Sequence, residues 1–157
     1  MPDFRSSNEV KYGYGDRGQM DVGVTCGTEI FNTSGLCMFG DFCMPQDAAT
    51  RFIEAVTGWD FKEEDVIRTG KRIMNMRYAF NLREGQKPTD SDSVLPKRCV
   101  GIPPQTEGPV KDITVDHNKL ANHFIESMAW DTKTLIPTKE SLENLGGMED
   151  VIRDLYG

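Results

Sequence analysis

The chain has 157 residues, of which 38% are hydrophobic and 27% are charged, and its formal net charge at pH 7 is −7. That length is enough for one globular domain with its own core. The negative charge argues against a nucleic-acid partner or an anionic membrane surface, because both bind basic surfaces. No apolar run approaches the roughly 20 residues that span a bilayer, and the N-terminus lacks an apolar signal segment, so we expect a cytoplasmic protein without a membrane partner.

Residues 1–30 give no clear helical or strand pattern, and we predict an irregular N-terminal segment. The stretch Gly13-Tyr14-Gly15-Asp16-Arg17-Gly18 matches the spacing GxGxxG. No strand pattern precedes it and we find no helical pattern after it, so a turn-rich segment is favoured over a dinucleotide site. Val22, Val24 and Ile30 could form a short extended piece.

The stretch Asn32–Cys43 concentrates two thiols, two hydroxyls, an amide and two glycines in twelve residues. Glycine lets a backbone approach a ligand closely or adopt a positive φ. A thiolate is a natural ligand for an iron–sulfur cluster or zinc. The alternative is a turn that leads into a buried helix, with the cysteines as small core side chains. These residues alone leave both interpretations open.

From Pro45 onward the apolar spacing is helical. Gly58 is placed to end the first of these helices, and Asp60 with Glu63 has the spacing of a capping box. Asp116 and Thr138 are placed as N-caps of two later helices. The predicted helices cover 46–56, 60–82, 116–129, 138–145 and 148–156. The fold class is therefore mainly α, a multihelical domain.

Two features interrupt this pattern. Gly70 lies inside the longest predicted helix, where glycine costs about 1 kcal/mol against alanine unless close packing requires it. The connection Gly85–Pro109 holds five prolines and is long for a small domain, which suggests a segment that lies over another surface.

Four sequence elements in this order resemble the aldehyde:ferredoxin oxidoreductase family. They cover residues 30–147. Asn32-Thr33-Ser34-Gly35-Leu36-Cys37 resembles the family's DxxGLC motif, and the others are similar to its FNxREG, DxLPxR and closing GWD…PT…LG stretches. These others are Arg77–Gly85, Asp92–Arg98, and Trp130-Asp131 with Ile136–Lys139 and Leu145-Gly146.

The resemblance implies a fold and a function. Residues 31–157 would be the helical C-terminal domain of an enzyme that oxidises aldehydes to carboxylic acids at a tungsten or molybdenum pterin. Electrons would pass through a 4Fe-4S cluster to ferredoxin. Members of the family are several times longer, so this chain would be an excised fragment or a separately encoded piece. Its partners would be the N-terminal and middle domains of the parent enzyme.

The resemblance also implies site residues. Cys37 would be the fourth ligand of the cluster, with three cysteines supplied by a preceding domain, while Asn32, Gly35 and Leu36 would lie against the pterin. Asn32 replaces the family's aspartate, so the charge is lost although the amide oxygen can still accept a hydrogen bond. No catalytic residue falls in this chain. One thiolate cannot hold a cluster that needs four, so we expect the chain alone to bind no cofactor and to be inactive.

The alternative function is a non-catalytic helical binding or assembly module that retains the domain fold without cofactors. The loss of the aspartate at Asn32 favours it for this polypeptide. Cys43 lies six residues after Cys37, nearly two helical turns away, and is interpreted as a core residue, as are Cys26 and Cys99. The cysteine spacings lack the paired arrangement of structural zinc. His117 and His123 are six residues apart and so do not share a helix face, which predicts exposed or capping histidines.

Overall fold

The structure is a computed structural model, and it describes residues 13–86 and 95–157. In these ranges the secondary structure is helical, with two isolated β-bridges and no strand. This confirms the mainly α, multihelical fold class. The α-helices are α1 (Arg17–Ser34), α2 (Met38–Asp41), α3 (Ala48–Thr57), α4 (Glu63–Arg83), α5 (His117–Ser127), α6 (Lys139–Leu145) and α7 (Glu149–Tyr156), and one 3₁₀ helix, η1, covers Lys97–Val100.

The N-terminal part differs from the prediction. Residues 17–30 are not irregular, and Val22, Val24 and Ile30 are not extended, because all of them belong to α1. The predicted boundary between residues 30 and 31 therefore falls inside a helix. The predicted irregular structure of residues 1–12 lies outside the described residues.

Small residues explain why α1 is hard to recognise in the sequence. Gly18, Val22, Cys26 and Ile30 are buried at a spacing of four residues, which is one helical face. Only two of these four side chains are large and apolar. An added Cβ at Gly18 would lie 2.5 Å from the carbonyl carbon of His123 on α5, so here glycine serves close packing and does not mark a turn.

The contact between α1 and α4 is close for the same reason. A Cβ added at Gly70 on α4 would lie 2.5 Å from the Cα of Cys26 and 2.6 Å from its carbonyl oxygen. Gly70 is thus closely packed, which is the condition under which glycine is expected inside a helix. Arg77 pairs with Glu29 further along both helices, so residue numbers rise in the same direction on α1 and α4. The ends of α1 and α4 consequently lie at the same end of the helix pair.

Two apolar clusters lie on either side of α4. The first joins α1 to α5 and the turn after α5, and the second joins α4 to the last two helices. The first contains Val22, Cys26 and Met128, with Ile67, Met74, Phe124 and Trp130 packed against it. The second contains Ala79, Leu142, Met148 and Val151, with Leu145, Ile152 and Leu155 packed against it.

Most predicted helix ends are confirmed. Gly58 adopts a left-handed conformation with φ 72° after α3. Asp116 accepts a hydrogen bond from the Lys119 N–H over 3.0 Å, and Thr138 accepts one from the Ser141 N–H over 3.2 Å. These are N-cap bonds that satisfy free donors of the first helical turn.

The start of α4 is the exception. The predicted capping box of Asp60 and Glu63 is wrong, because the helix begins at Glu63. Asp65 instead accepts a hydrogen bond from the Lys62 N–H over 3.0 Å. Asp60 forms an ion pair with the Lys62 ammonium over 2.5 Å.

Candidate functional site

The last turn of α1 is held by hydroxyl groups that return to the helix backbone. Thr33 Oγ1 donates to the Glu29 carbonyl over 2.8 Å, and Ser34 Oγ donates to the Ile30 carbonyl over 2.5 Å. Such local bonds fix side chains near a helix end. Asn32 lies on the same turn with its side chain exposed. The residue that was predicted to face a pterin is therefore presented to solvent.

Gly35 ends α1 in a left-handed conformation, with φ 75° and ψ 12°. Its N–H donates to the Phe31 carbonyl, and the Leu36 N–H donates to the same oxygen over 3.2 Å. No atom outside its neighbours lies within 4 Å of the position that a Cβ would take. The backbone conformation, and not crowding, is what favours glycine here.

Cys37 follows in an extended conformation, immediately before α2, and its side chain is exposed. Among residues 13–86 and 95–157, no group of three or more His, Cys, Asp or Glu side chains could hold a metal ion. A soft, exposed thiolate fits an iron–sulfur cluster as a single ligand. The described residues could thus contribute one ligand to a site of four, on the same helix-ending turn as Asn32, Gly35 and Leu36.

The other cysteines divide into one buried and two exposed. Cys26 is fully buried, and burial raises the pKa of its thiol to about 11, with nearby Lys71 opposing the shift and Glu29 adding to it. It is a core residue, as predicted, and its thiol is protonated at neutral pH. Cys43 and Cys99 are exposed, so their prediction as core residues is wrong. For Cys43 the prediction assumed a continuing helix, whereas α2 ends at Asp41.

A half-buried ion pair joins α1 to α4 just before this turn, and its member Glu29 was missed by the sequence analysis. The Glu29 side chain is 9% exposed and pairs with the guanidinium of Arg77, whose side chain is 64% exposed. Glu29 lies one helical turn before Thr33, so the pair attaches the end of α1 to α4. The sequence signal was an acidic residue one turn before the motif, which has meaning only once α1 is known to be a helix.

The two histidines do not form a site with other ligands. Both lie on α5, and neither belongs to a metal-binding group among the residues that the structure describes. His123 Nδ1 is buried and has no hydrogen-bond partner in that part of the chain. His117 is half-buried next to the N-cap of α5.

No helix within the described ranges has the length and apolar character that a membrane span requires.

Residues 13–146 match the family described as aldehyde ferredoxin oxidoreductase, domains 2 and 3. The match thus includes α1 and the Cys37 turn and continues through α6.

Several curated proteins are similar to the chain, and each carries the name tungsten-containing aldehyde ferredoxin oxidoreductase. The protein from Pyrococcus furiosus is 37% identical over 119 residues, which cover 76% of this chain and 19% of that protein. The proteins from Pyrococcus horikoshii and Thermococcus kodakarensis are each 34% identical, over 76% and 74% of this chain and 19% of their own lengths. The chain therefore spans about a fifth of these relatives.

Proposed function

This chain belongs to the aldehyde ferredoxin oxidoreductase family, and from that premise we propose that it is the C-terminal portion of a tungsten- or molybdenum-pterin enzyme. The assembled enzyme oxidises aldehydes to carboxylic acids and passes the electrons through a 4Fe-4S cluster to ferredoxin. The family match over residues 13–146 and the names of the relatives support this assignment. Because the chain spans 19% of those relatives, the activity belongs to its assembly with the preceding domains.

The observation that carries the proposal is the position of Cys37. Its thiol is exposed beside a left-handed glycine, at the end of a helix that an ion pair attaches to α4. A cluster ligand from one domain must reach a cluster held mainly by another, so it has to lie at the surface of its own domain. Cys37 meets that requirement, and buried Cys26 does not.

Three neighbouring residues face the pterin in this proposal. The Asn32 amide is exposed and accepts or donates a hydrogen bond. The open space around Gly35 lets the backbone come close to a flat ligand, and Leu36 is half-buried beside it. When bound, the metal and pterin supply the oxidation itself, which takes oxygen from water and releases two electrons and two protons. The residues of this chain orient the cofactors.

A pair of serine substitutions tests the ligand role. The chain is assembled with the preceding domains, as one polypeptide or two, and the broad visible absorption of the cluster is recorded together with its iron content. Cys37→Ser is expected to reduce the cluster signal at least several-fold. Cys43→Ser is a matched control, because that thiol is also exposed and lies six residues away. Equal loss in the two variants would refute the assignment of Cys37.

The second candidate function is a helical binding or assembly module without cofactors. It is favoured by the uncharged Asn32. For this function the same assembly shows neither cluster absorption nor tungsten or molybdenum by elemental analysis. The enzyme proposal expects both.

A further inference from the structure

Helix α3 exposes part of the face that its sequence pattern marks as apolar. Ala49, Phe52, Ile53 and Val56 recur at the spacing of one helical face, which in a surface helix normally lies against a core. Only the first turn of α3, Ala48–Thr50, is buried. Phe52 is 49% exposed and Val56 is 85% exposed. The described residues of this chain cover Ala49 but leave Phe52 and Val56 uncovered.

The exposed face continues toward Cys37. Phe39 and Phe42 on and after α2 are 73% and 72% exposed and contact each other edge to face at 6.2 Å. Met44 connects the two regions. Its Cε lies 4.0 Å from the position that a Cβ would take at Gly40, and it lines an open groove together with Phe52. Phe39, Phe42, Phe52 and Val56 together are called the aromatic face below.

The charges beside the aromatic face are already paired with one another. Arg51 lies 3.9 Å from Asp47, and Lys62 lies 3.5 Å from Glu54. A partner for this surface is therefore recognised by apolar contact and not by a field of one sign. Apolar side chains of this size, exposed together, mark interaction sites in soluble proteins.

We propose that the aromatic face is the docking surface for the preceding part of the enzyme, the part that supplies the other three cluster ligands. The inference rests on the proposed function. A cluster that binds Cys37 brings the surface of the other domain to within a few ångströms of that thiol. Phe39 lies two residues after Cys37. The aromatic face is therefore the exposed apolar surface next to Cys37 along the chain, where the other domain would make contact. The relatives, of which this chain spans 19%, contain ample chain to cover it.

Thiol labelling at two matched positions tests the proposal. Val56→Cys places a thiol on the aromatic face, and Asp150→Cys places one on α7, where the native side chain is 84% exposed. Each variant is treated with a maleimide, alone and assembled with the preceding domains, and labelling is read by peptide mass spectrometry. We expect assembly to slow labelling at position 56 at least ten-fold and to leave position 150 unchanged. Equal labelling rates at position 56 in the two states would overturn the proposal.

Two further outcomes are informative. If position 56 is protected in the chain alone and the chain is a dimer by size-exclusion light scattering, the face is covered by a second copy, and the proposal is wrong. If protection on assembly disappears in 1 M salt, the contact is electrostatic and not apolar, and the proposal is also wrong. Cluster absorption is recorded in the same samples. If position 56 is protected but no cluster forms, the role of Cys37 is refuted and the docking surface is supported. If a cluster forms but position 56 is not protected, the role of Cys37 is supported and the docking surface is refuted.

Discussion

Cys26 and Cys37 lie close together in the sequence, but their different surroundings give the two thiols different accessibility and reactivity. Cys26 is buried inside α1 against Gly70, and Cys37, eleven residues later, is exposed after the left-handed Gly35. Burial stabilises the neutral form of the first thiol and keeps it unreactive. The second is accessible to a metal or to another domain. The motif Asn32–Cys37 could be recognised in the sequence, whereas the different roles of the two cysteines depend on burial, which only the packed helices determine.

The buried thiol gives a prediction for alkaline pH. The pKa of Cys26 is raised from 9.0 to about 11, so the folded chain keeps this proton after the unfolded chain has lost it. Its stabilising contribution is complete below pH 9 and is lost as the pH rises from 9 to 11, by about 2–3 kcal/mol in total. Urea unfolding at pH 8 and pH 11 is expected to show this extra loss in the native chain and not in Cys26→Ala.

The comparison with Cys26→Ala also excludes two other causes of the loss in stability, the titration of Tyr78 and the packing cost of the substitution. Burial raises the pKa of Tyr78 as well, but that tyrosine is present in both proteins and its effect cancels in the comparison. The packing cost of Cys26→Ala lowers stability at both pH values and cancels likewise. If the native chain and the variant lose the same free energy of unfolding between pH 8 and pH 11, Cys26 does not titrate as described.

At the scale of elements, α1 shows why part of the fold could not be predicted. The later helices carry large apolar residues at helical spacing with recognisable caps, such as Asp116 and Thr138, and they were found. In α1 the buried face is built from Gly18 and Cys26 as well as Val22 and Ile30. Glycine favours turns in isolation. Its helical role here appears only because α4 and α5 approach so closely, which is a tertiary effect that local sequence does not report.

The candidate site likewise has one part that could be predicted from the sequence and one part that could not. The residues of the Cys37 turn could be identified by resemblance, and the structure places them on one helix end. The support of that turn by Glu29 and Arg77, which are 48 residues apart, depends on the register of α1 against α4. The exposed aromatic face was also missed, since the apolar spacing of α3 predicts burial and cannot name the partner that buries it.

The contact between α1 and α4 gives a prediction at Gly70. Gly70→Ala would gain about 1 kcal/mol of helix propensity, but its Cβ would overlap backbone atoms of Cys26 that cannot rotate away. Overpacking of this kind costs about 1–3 kcal/mol or more, so we expect a net loss in the free energy of urea unfolding. Gly15→Ala is the control, because no atom lies within 4 Å of the added Cβ, and its effect should stay within about 0.5 kcal/mol. Equal effects would mean that α1 and α4 do not pack as closely as described.

At the scale of the whole molecule, α4 connects the N-terminal helices to the C-terminal ones. The buried Asn75 side chain accepts a hydrogen bond from Trp130 Nε1 over 2.8 Å and donates to the Lys71 carbonyl over 2.9 Å. Tyr78 stacks on Trp130 with ring centroids 4.4 Å apart and donates to the Leu135 carbonyl. Arg72 donates twice to the Leu145 carbonyl at the end of α6. Polar side chains of one helix thus hold the turn after α5 and the end of α6.

These bonds lead to a prediction for cooperativity. Asn75→Ala removes the partner of the Trp130 indole and leaves a small cavity, and we expect it to lower the free energy of unfolding by about 2–4 kcal/mol. The control is Asn81→Ala on the same helix, where the side chain is exposed and the effect should stay within about 0.5 kcal/mol. Both are measured in a Trp59→Phe background, so that fluorescence reports Trp130 alone, and circular dichroism reports the helices. Because α4 lies between both apolar clusters, the two signals should change at one common midpoint in Asn75→Ala, at a lower urea concentration than in the control. An early change in fluorescence with an unshifted helical signal would show instead that the turn around Trp130 opens independently and that α4 does not couple the two ends of the molecule.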